Sequence, residues 1–192
     1  AADLAAVKLA YPLFAKPVAE GTGKGIDGRS IIRDSGELRQ RCQDIWDRYK
    51  QPALIERFLP GREFTVGIVG TGAKAEAVGA LEVVLLDKAE QGVYSYVNKE
   101  QCEELVEYRL VNDELAREAM EVALHSWRCL NCRDGGRVDL RCDEHGRPCF
   151  IEVNPLAGLH PEHSDLPILS NKAGMPYNEL IKRIMDSAKE RI

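Results

Sequence analysis

The sequence predicts an α+β fold, because runs with the two-residue period of strands share one chain with runs that have the 3.6-residue period of helices. Residues 113–130 place their apolar side chains on one side of a helix. Residues 136–141 and 150–155 alternate between polar and apolar, as half-buried strands do. The turn-forming sequence Asp143-Glu144-His145-Gly146 separates these two runs, so we expect a hairpin.

The first half of the chain is expected to hold short strands and one helix. An apolar strand that ends at Lys16 leads into a glycine-rich loop, and residues 29–32 predict a second strand after it. A capping box at Asp34-Ser35-Gly36-Glu37 begins a helix that runs to about Tyr49. Gln51-Pro52 ends the helix, and residues 53–56 form the next strand.

The second half is expected to hold longer strands and two further helices. Residues 62–69 and 75–86 predict strands joined through Gly70-Thr71-Gly72, and residues 87–111 are polar and irregular. The helix over residues 113–130 comes next, and Pro176 begins a last helix that runs to about Arg191.

The hairpin between residues 136 and 155 fixes which side chains face each other. If it closes a four-residue loop over Glu144 to Arg147, side chains of alternate residues share a face. The expected pairs are Asp143 with Pro148, Cys142 with Cys149, Asp139 with Glu152, and Arg137 with Asn154.

Two carboxylates directly opposite each other repel unless a cation lies between them. Asp139, Glu152 and Asn154 offer only oxygen ligands, which suit Mg²⁺ or Mn²⁺ bound beside phosphates better than zinc. The pattern therefore predicts a divalent metal site. The alternative is the solvated polar face of an ordinary hairpin.

The loop after Lys16 predicts a phosphate-binding turn. Gly21, Gly23 and Gly25 let the backbone take positive φ and approach an anion closely. The spacing differs from a Walker loop, and a strand rather than a helix is expected to follow, which excludes a dinucleotide fingerprint. A glycine-rich hairpin over phosphates is the better analogy, and a plain flexible hairpin tip is the alternative.

Composition narrows the function classes. A net charge of −5 argues against a general nucleic-acid partner, and no apolar run approaches the length of a membrane span. The six cysteines are scattered, and we expect them to be reduced thiols in a cytoplasm. A length of 192 residues suits one large domain or two small ones.

Several motifs occur in a fixed order along the chain. They are Ala15-Lys16-Pro17 with the loop 20–25, Ile55-Glu56-Arg57-Phe58-Leu59, Gly61-Arg62-Glu63-Phe64-Thr65-Val66, Tyr94-Ser95-Tyr96-Val97-Asn98-Lys99, Gly136-Arg137-Val138-Asp139, and Ile151-Glu152-Val153-Asn154-Pro155 followed by Gly158. Together they resemble the ATP-grasp ligases, in particular the D-alanine–D-alanine ligases and their uncharacterised relatives. The resemblance runs from about Tyr11 to the C-terminus.

This resemblance implies the ATP-grasp fold, with two antiparallel-sheet subdomains and the nucleotide between them. Residues 1–60 would form the small lid and residues 61–192 the larger subdomain. It also implies ATP and Mg²⁺ (or Mn²⁺) as cofactors. The implied nucleotide-binding residues are Lys16 and Lys99 at the phosphates, Glu20, Gly21, Thr22 and Gly23 in the loop, Glu56, Arg57, Phe58 and Leu59 at the adenine, and Glu63 at the ribose.

The implied reaction joins a carboxylate and an amine of small amino-acid-like substrates through an acyl phosphate. Arg137 would stabilise developing charge, with the backbone N–H of Gly158 as its oxyanion-hole partner. Asp139, Glu152 and Asn154 match the ligands of two Mg²⁺ ions, and Ser164 matches the serine that binds the second substrate.

The chain departs from the family pattern at several positions. Glu100 stands where a tyrosine is usual, and Thr22-Gly23 replace two serines. The loop over residues 155–167 is longer than usual and carries His160 and His163. We also expect the chain to be a fragment that lacks the family's N-terminal substrate domain. A nucleotide-binding module without ligase activity therefore remains the alternative function.

Overall fold

The computed structural model describes Leu4 and residues 7–90, 92–93 and 95–191, and gives only the backbone of residues 99, 100, 102 and 103. The chain divides into two compact units. The first unit combines Ala1–Leu59 with Leu85–Glu107, and the second combines Pro60–Val84 with Tyr108–Ile192. Within the described residues, no helix has both the length and the apolar character needed to cross a membrane.

The first unit contains a three-stranded antiparallel sheet and a helix that covers it. Strand β1 (Leu13–Pro17) lies between β2 (Ile31–Ile32) and β3 (Ala53–Arg57), and helix α1 (Ser35–Tyr49) packs against the sheet. The helix begins where Asp34 accepts the N–H groups of Gly36 and Glu37, which confirms the predicted N-terminus. The shared core consists of Leu13, Ala15, Ile32, Leu38 and Ile45.

Two predictions for elements before residue 112 are wrong. Gly28–Ser30 forms a 3₁₀ turn, because the Asp27 carboxylate accepts the Arg29 N–H at 2.8 Å, so only Ile31–Ile32 is left as a strand. Residues 87–111 are not irregular throughout, since they contain α2 (Tyr96–Glu100), α3 (Cys102–Leu105) and β6 (Val106–Val111). Buried Asn98 organises this segment by donating to the carbonyl oxygens of Glu90 and Val93.

The second unit is built on an antiparallel sheet of five strands in the order β6-β5-β4-β7-β8. The further strands are β4 (Glu63–Val69), β5 (Glu76–Leu85), β7 (Gly135–Cys142) and β8 (Pro148–Asn154). The further helices are α4 (Glu114–Cys129), α5 (Asp165–Lys172) and α6 (Tyr177–Lys189). Helices α4 and α6 match the predicted positions, whereas α5 was not predicted.

The helices of the second unit pack on both faces of its sheet. On one face, the apolar residues of α4 and of alternate strand positions form the main core around fully buried Trp127 and Phe64. On the other face, α5 places Leu166 and Leu169 against Gly67 of β4. A Cβ on Gly136 would lie 2.8 Å from Trp127, so only glycine lets β7 approach α4 this closely.

The hairpin of β7 and β8 confirms two predicted pairs and corrects two others. Asp139 lies opposite Glu152, and Arg137 lies opposite Asn154. The predicted pairs of Asp143 with Pro148 and Cys142 with Cys149 are wrong, because Pro148 pairs with Cys142 and Cys149 with Arg141. The register shifts between Asp139 and Leu140, which is the mark of a β-bulge.

The hairpin loop is shorter than predicted because Asp143 binds back onto it. The Asp143 N–H donates to the Arg147 carbonyl oxygen at 3.0 Å, and the Asp143 carboxylate accepts the N–H groups of His145 and Arg147, each at 2.9 Å. Gly146 takes a φ of 77°, which closes the turn. The backbone N–H of Arg147, with its guanidinium and the N–H of His145, lowers the pKa of Asp143 to about 2.

Candidate functional site

Three predicted metal ligands lie together on β7 and β8 in the second unit. The Asn154 side-chain amide donates to Asp139 Oδ2 at 3.2 Å and to Glu152 Oε1 at 3.3 Å. Thr65, on the neighbouring strand β4, donates its hydroxyl to the other Asp139 oxygen at 3.0 Å. The Asp139 carboxylate is thus held by β4 and β8 at once, which fixes its orientation toward Glu152.

The arrangement fits a divalent cation. One polar group, the Asn154 amide nitrogen, donates a hydrogen bond to an oxygen of each opposed carboxylate. One oxygen of Asp139 and one of Glu152 therefore already point toward the same neutral donor. The amide also carries an oxygen, and an oxygen-only donor set suits Mg²⁺. In the described part of the chain, no cluster of three or more His, Cys, Asp or Glu side chains could hold a metal. Two carboxylates and an amide would therefore share the ion with phosphate or water oxygens.

Arg137 lies beside the carboxylate pair and is itself bound by acids. Its guanidinium donates to Asp165 in the first turn of α5, and its Nη2 lies 3.5 Å from Asp139. About 20% of the Arg137 side chain is exposed. The sequence did not indicate Asp165, which lies 28 residues from Arg137.

Glu63, the predicted ribose acceptor, lies at the start of β4 on the same face as Thr65. Arg141 is opposite it on β7, and the Arg141 Nη1 lies 3.2 Å from the Glu63 carboxylate. Both side chains are largely buried, with 16% of Arg141 and 24% of Glu63 exposed. This ion pair holds the carboxylate in place.

The segment after β8 brings two further predicted residues into contact. Ser164 precedes α5 as its N-cap residue and accepts the His160 N–H at 3.0 Å through its hydroxyl oxygen. A Cβ on Gly158 would lie 2.6 Å from that oxygen, so the glycine lets the loop fold back onto the serine. The rings of His160 and His163 lie 4.6 Å apart in the same loop.

In the first unit, Lys16 and Glu56 form a close ion pair. They lie on the adjacent strands β1 and β3, with the Lys16 Nζ 2.7 Å from the Glu56 carboxylate. Phe58 follows directly after β3, where its ring stacks on Phe14 with centroids 6.5 Å apart and its N–H donates to the Pro12 carbonyl oxygen. Arg57 ends β3 and Leu59 follows Phe58, so the four predicted adenine-binding residues are contiguous at one strand end.

The predicted phosphate loop forms two tight turns. The Lys24 N–H donates to the Gly21 carbonyl oxygen, and the Ile26 N–H donates to that of Gly23. Thr22 has a φ of 57°, within the left-handed region that glycine favours, and Gly23 and Gly25 also have positive φ. The Glu20 carboxylate accepts a hydrogen bond from Gln51 at 2.6 Å and lies 3.2 Å from the Lys24 Nζ.

The second predicted phosphate-binding lysine lies on a short helix of the first unit. Lys99 is within α2, and the Ser95 hydroxyl caps that helix by accepting the Asn98 N–H at 3.2 Å. The side chains of Lys99 and Glu100 lie outside the described residues. Their predicted roles therefore stay predictions.

A family model described as the D-ala D-ala ligase C-terminus matches residues 3–186. The chain belongs to this family. A D-alanine–D-alanine ligase of Bordetella petrii is 32% identical over 183 residues, which cover 94% of the chain and 53% of the relative. The chain thus spans about half the length of the curated relatives it matches.

Solved structures show the same fold. D-alanine–D-alanine ligase from Bacillus anthracis, complexed with ATP, has a TM-score of 0.69 at 21% identity and is matched over 94% of this chain and 53% of its own. VanG D-Ala:D-Ser ligase from Enterococcus faecalis has a TM-score of 0.72 at 21% identity, over 94% and 50% of the two chains. These likenesses confirm the ATP-grasp fold that the sequence motifs implied.

Three contacts of this domain were not predicted from the sequence. Thr65 orients Asp139, Arg141 binds Glu63, and Asp165 binds Arg137. Of these three contacts, the sequence gives a hint only of the one made by Thr65. Thr65 lies two residues after Glu63 and so shares its face of β4. The other two contacts join residues 78 and 28 positions apart, which spacing cannot reveal.

Proposed function

We propose that this domain binds Mg·ATP and belongs to an ATP-dependent ligase that joins a carboxylate to an amine through an acyl phosphate. The observation that carries the proposal is the convergence of Asp139 and Glu152 on a single amide donor. Two facing carboxylates repel each other in a hairpin, and the Arg137 Nη2, 3.5 Å from Asp139, offsets only part of that repulsion, so a bound divalent cation would stabilise the pair further.

Each residue group has a distinct share in the proposed reaction. Lys16, Lys99 and the glycine loop would hold the phosphates, residues 56–59 the adenine and Glu63 the ribose. A divalent ion held by Asp139, Glu152 and Asn154 would neutralise phosphate charge when bound. Arg137 and the Gly158 N–H would stabilise negative charge on the transferring group, and Ser164 would orient the second substrate.

We further propose small amino-acid-like substrates and a cytoplasmic location. The curated relatives include D-alanine–D-alanine ligases, and a structural neighbour is a D-Ala:D-Ser ligase, so the second substrate varies within the fold. The described cysteines Cys42, Cys129, Cys132, Cys142 and Cys149 are all free thiols, which fits a reducing compartment.

Calorimetry with Mg·ATP tests the binding step on this chain. We expect saturable binding that disappears when EDTA removes Mg²⁺, because the opposed carboxylates need the cation. No heat of binding at millimolar Mg·ATP would contradict the proposal. Hydrogen exchange provides a second measurement, since amides 20–26 should exchange more slowly once phosphates occupy the loop.

We propose that ligation also needs the part of the curated relatives that this chain does not match, so an ADP-release assay should find turnover with one of a panel of D-amino acids in a protein that includes an equivalent part. Acyl-phosphate chemistry needs the reacting groups in line, and a misplacement of about 1 Å costs on the order of a hundredfold in rate. We therefore expect the isolated chain to bind nucleotide without completing ligation. Mg·ATP binding without turnover even when such a part is present would instead support a nucleotide-binding module.

A further inference from the structure

Arg41 is a buried arginine in the first unit that no predicted role explains. It lies in the middle of α1, and only 5% of it is exposed. Its Nη2 donates to the Gly25 carbonyl oxygen at 2.6 Å and to the Ser30 hydroxyl at 2.8 Å, while its Nη1 lies 3.4 Å from the Asp27 carboxylate. One guanidinium thus binds three residues, Gly25, Asp27 and Ser30, at the end of the glycine loop and just after it.

The same segment also contacts the helix that carries Lys99. The Tyr96 N–H, at the start of α2, donates to the Ile26 carbonyl oxygen at 3.2 Å. Ile26 lies between Gly25 and Asp27, two of the three residues that Arg41 binds. The chain of contacts from α1 to α2 therefore passes through the end of the phosphate loop.

The contacts around Arg41 differ from those of a residue that only fills a core. The helix is anchored to the sheet by Leu38 and Ile45, which do not depend on Arg41. Within the described residues, the buried Arg41 Nε has no hydrogen-bond partner, which carries a desolvation cost that an apolar residue would avoid. The planar fork still binds a backbone oxygen, a hydroxyl and a carboxylate through two separate nitrogens, a fixed spread of donors that the single nitrogen of lysine does not offer.

We propose that Arg41 is a positioning residue for nucleotide binding. It fixes the end of the glycine loop and, through Ile26, the start of the Lys99 helix, so that both phosphate-binding elements are set by one buried group. This inference rests on the proposed function, because it names how the two elements are held before phosphate arrives.

Hydrogen exchange without nucleotide tests the positioning directly. The Arg41→Met variant keeps an unbranched apolar side chain in α1, and Arg39→Met, at an exposed position of the same helix, is the control. We expect the Ile26, Asp27 and Tyr96 amides to exchange at least about tenfold faster in Arg41→Met only, while amides of β1 and β3 change less than about twofold. Unchanged exchange at all three amides, or equal acceleration throughout the sheet, would overturn the proposal.

Calorimetry with Mg·ATP gives the second readout. We expect Arg41→Met to weaken binding by at least about tenfold, Arg39→Met to leave it unchanged, and Arg41→Lys to restore little, because lysine keeps the charge but not the fork. Faster exchange with unchanged affinity would refute the positioning role. If the parent chain itself bound no Mg·ATP, the proposed function would fail, and the exchange measurements would still decide whether Arg41 holds the loop and α2 together.

Discussion

Replacing Glu152 with glutamine should change stability and ligand binding in opposite directions. Glu152 lies directly opposite Asp139, so its charge repels that carboxylate in the free protein. Glutamine keeps the shape and removes the charge. We therefore expect the free variant to be as stable as the parent or more stable by up to about 1 kcal/mol. With Mg·ATP present, we expect the parent to be more stable than the Glu152→Gln variant.

The size of the reversal follows from the position of Glu152. Its side chain is exposed, so water screens its interaction with a bound ion. At 4 Å in water, two unit charges interact by about 1 kcal/mol, and a divalent ion doubles this to about 2 kcal/mol. Each 1.4 kcal/mol is a tenfold change in affinity, so Mg²⁺-dependent binding should weaken by roughly thirtyfold. Direct coordination would increase the loss, which makes this figure a lower limit.

Thermal unfolding and calorimetry measure the two effects. Melting is recorded with EDTA and with saturating Mg·ATP, and the apparent Mg²⁺ affinity is titrated at fixed ATP. The matched control is Glu121→Gln, which removes the same charge from an exposed position on α4. Equal Mg²⁺ affinity of Glu152→Gln and the parent would refute the metal assignment and leave the polar face of an ordinary hairpin as the explanation.

Three further predictions concern stability and reactivity. The pKa of Asp143, lowered to about 2, gives the parent an advantage over Asp143→Asn that is full above about pH 4 and disappears as the pH falls through 2, which denaturation across that range will show. Burial raises the pKa of Cys142 to about 11, so at pH 8 a thiol reagent followed by peptide mass mapping should label exposed Cys129 long before Cys142. A Cβ at position 136 would meet Asn154 and Trp127 within 3 Å, so Gly136→Ala should cost about 1–3 kcal/mol in a denaturant titration, whereas Gly28→Ala has open space.

The site pairing was predictable from the sequence although the hairpin loop was not. The loop is one residue tighter than expected, because Asp143 accepts backbone N–H groups within it. That change alone would have separated Asp139 from Glu152. The β-bulge between Asp139 and Leu140 shifts the register back by one residue, so Asp139 pairs with Glu152 as predicted. Alternation fixed the polar face, whereas turn geometry and bulges depend on bonds that periodicity does not encode.

Element prediction failed where tertiary contacts decide the structure. Helices α1 and α4 carry Asp caps and long apolar faces, which local sequence reveals. Helix α5 spans only eight residues and is held by Leu166 and Leu169 against Gly67, a contact between distant parts of the chain. The Ser164 hydroxyl does not cap α5 either, since it accepts the His160 N–H instead. Such a helix has no strong local signal.

In each of the two units, ion pairs among the proposed binding residues should limit nucleotide affinity. Lys16 is paired with Glu56, Arg137 with Asp165, and Glu63 with Arg141, so several predicted ligand-binding groups already have partners in the protein. A ligand phosphate or hydroxyl must then exchange with an existing partner or share it, and the gain from each contact is the difference between two bonds. Preformed pairs hold the side chains in place at the same time, which reduces the ordering cost on binding. These pairs thus fix the geometry of the side chains at the expense of ligand affinity, which is what the proposed role of aligning reacting groups requires.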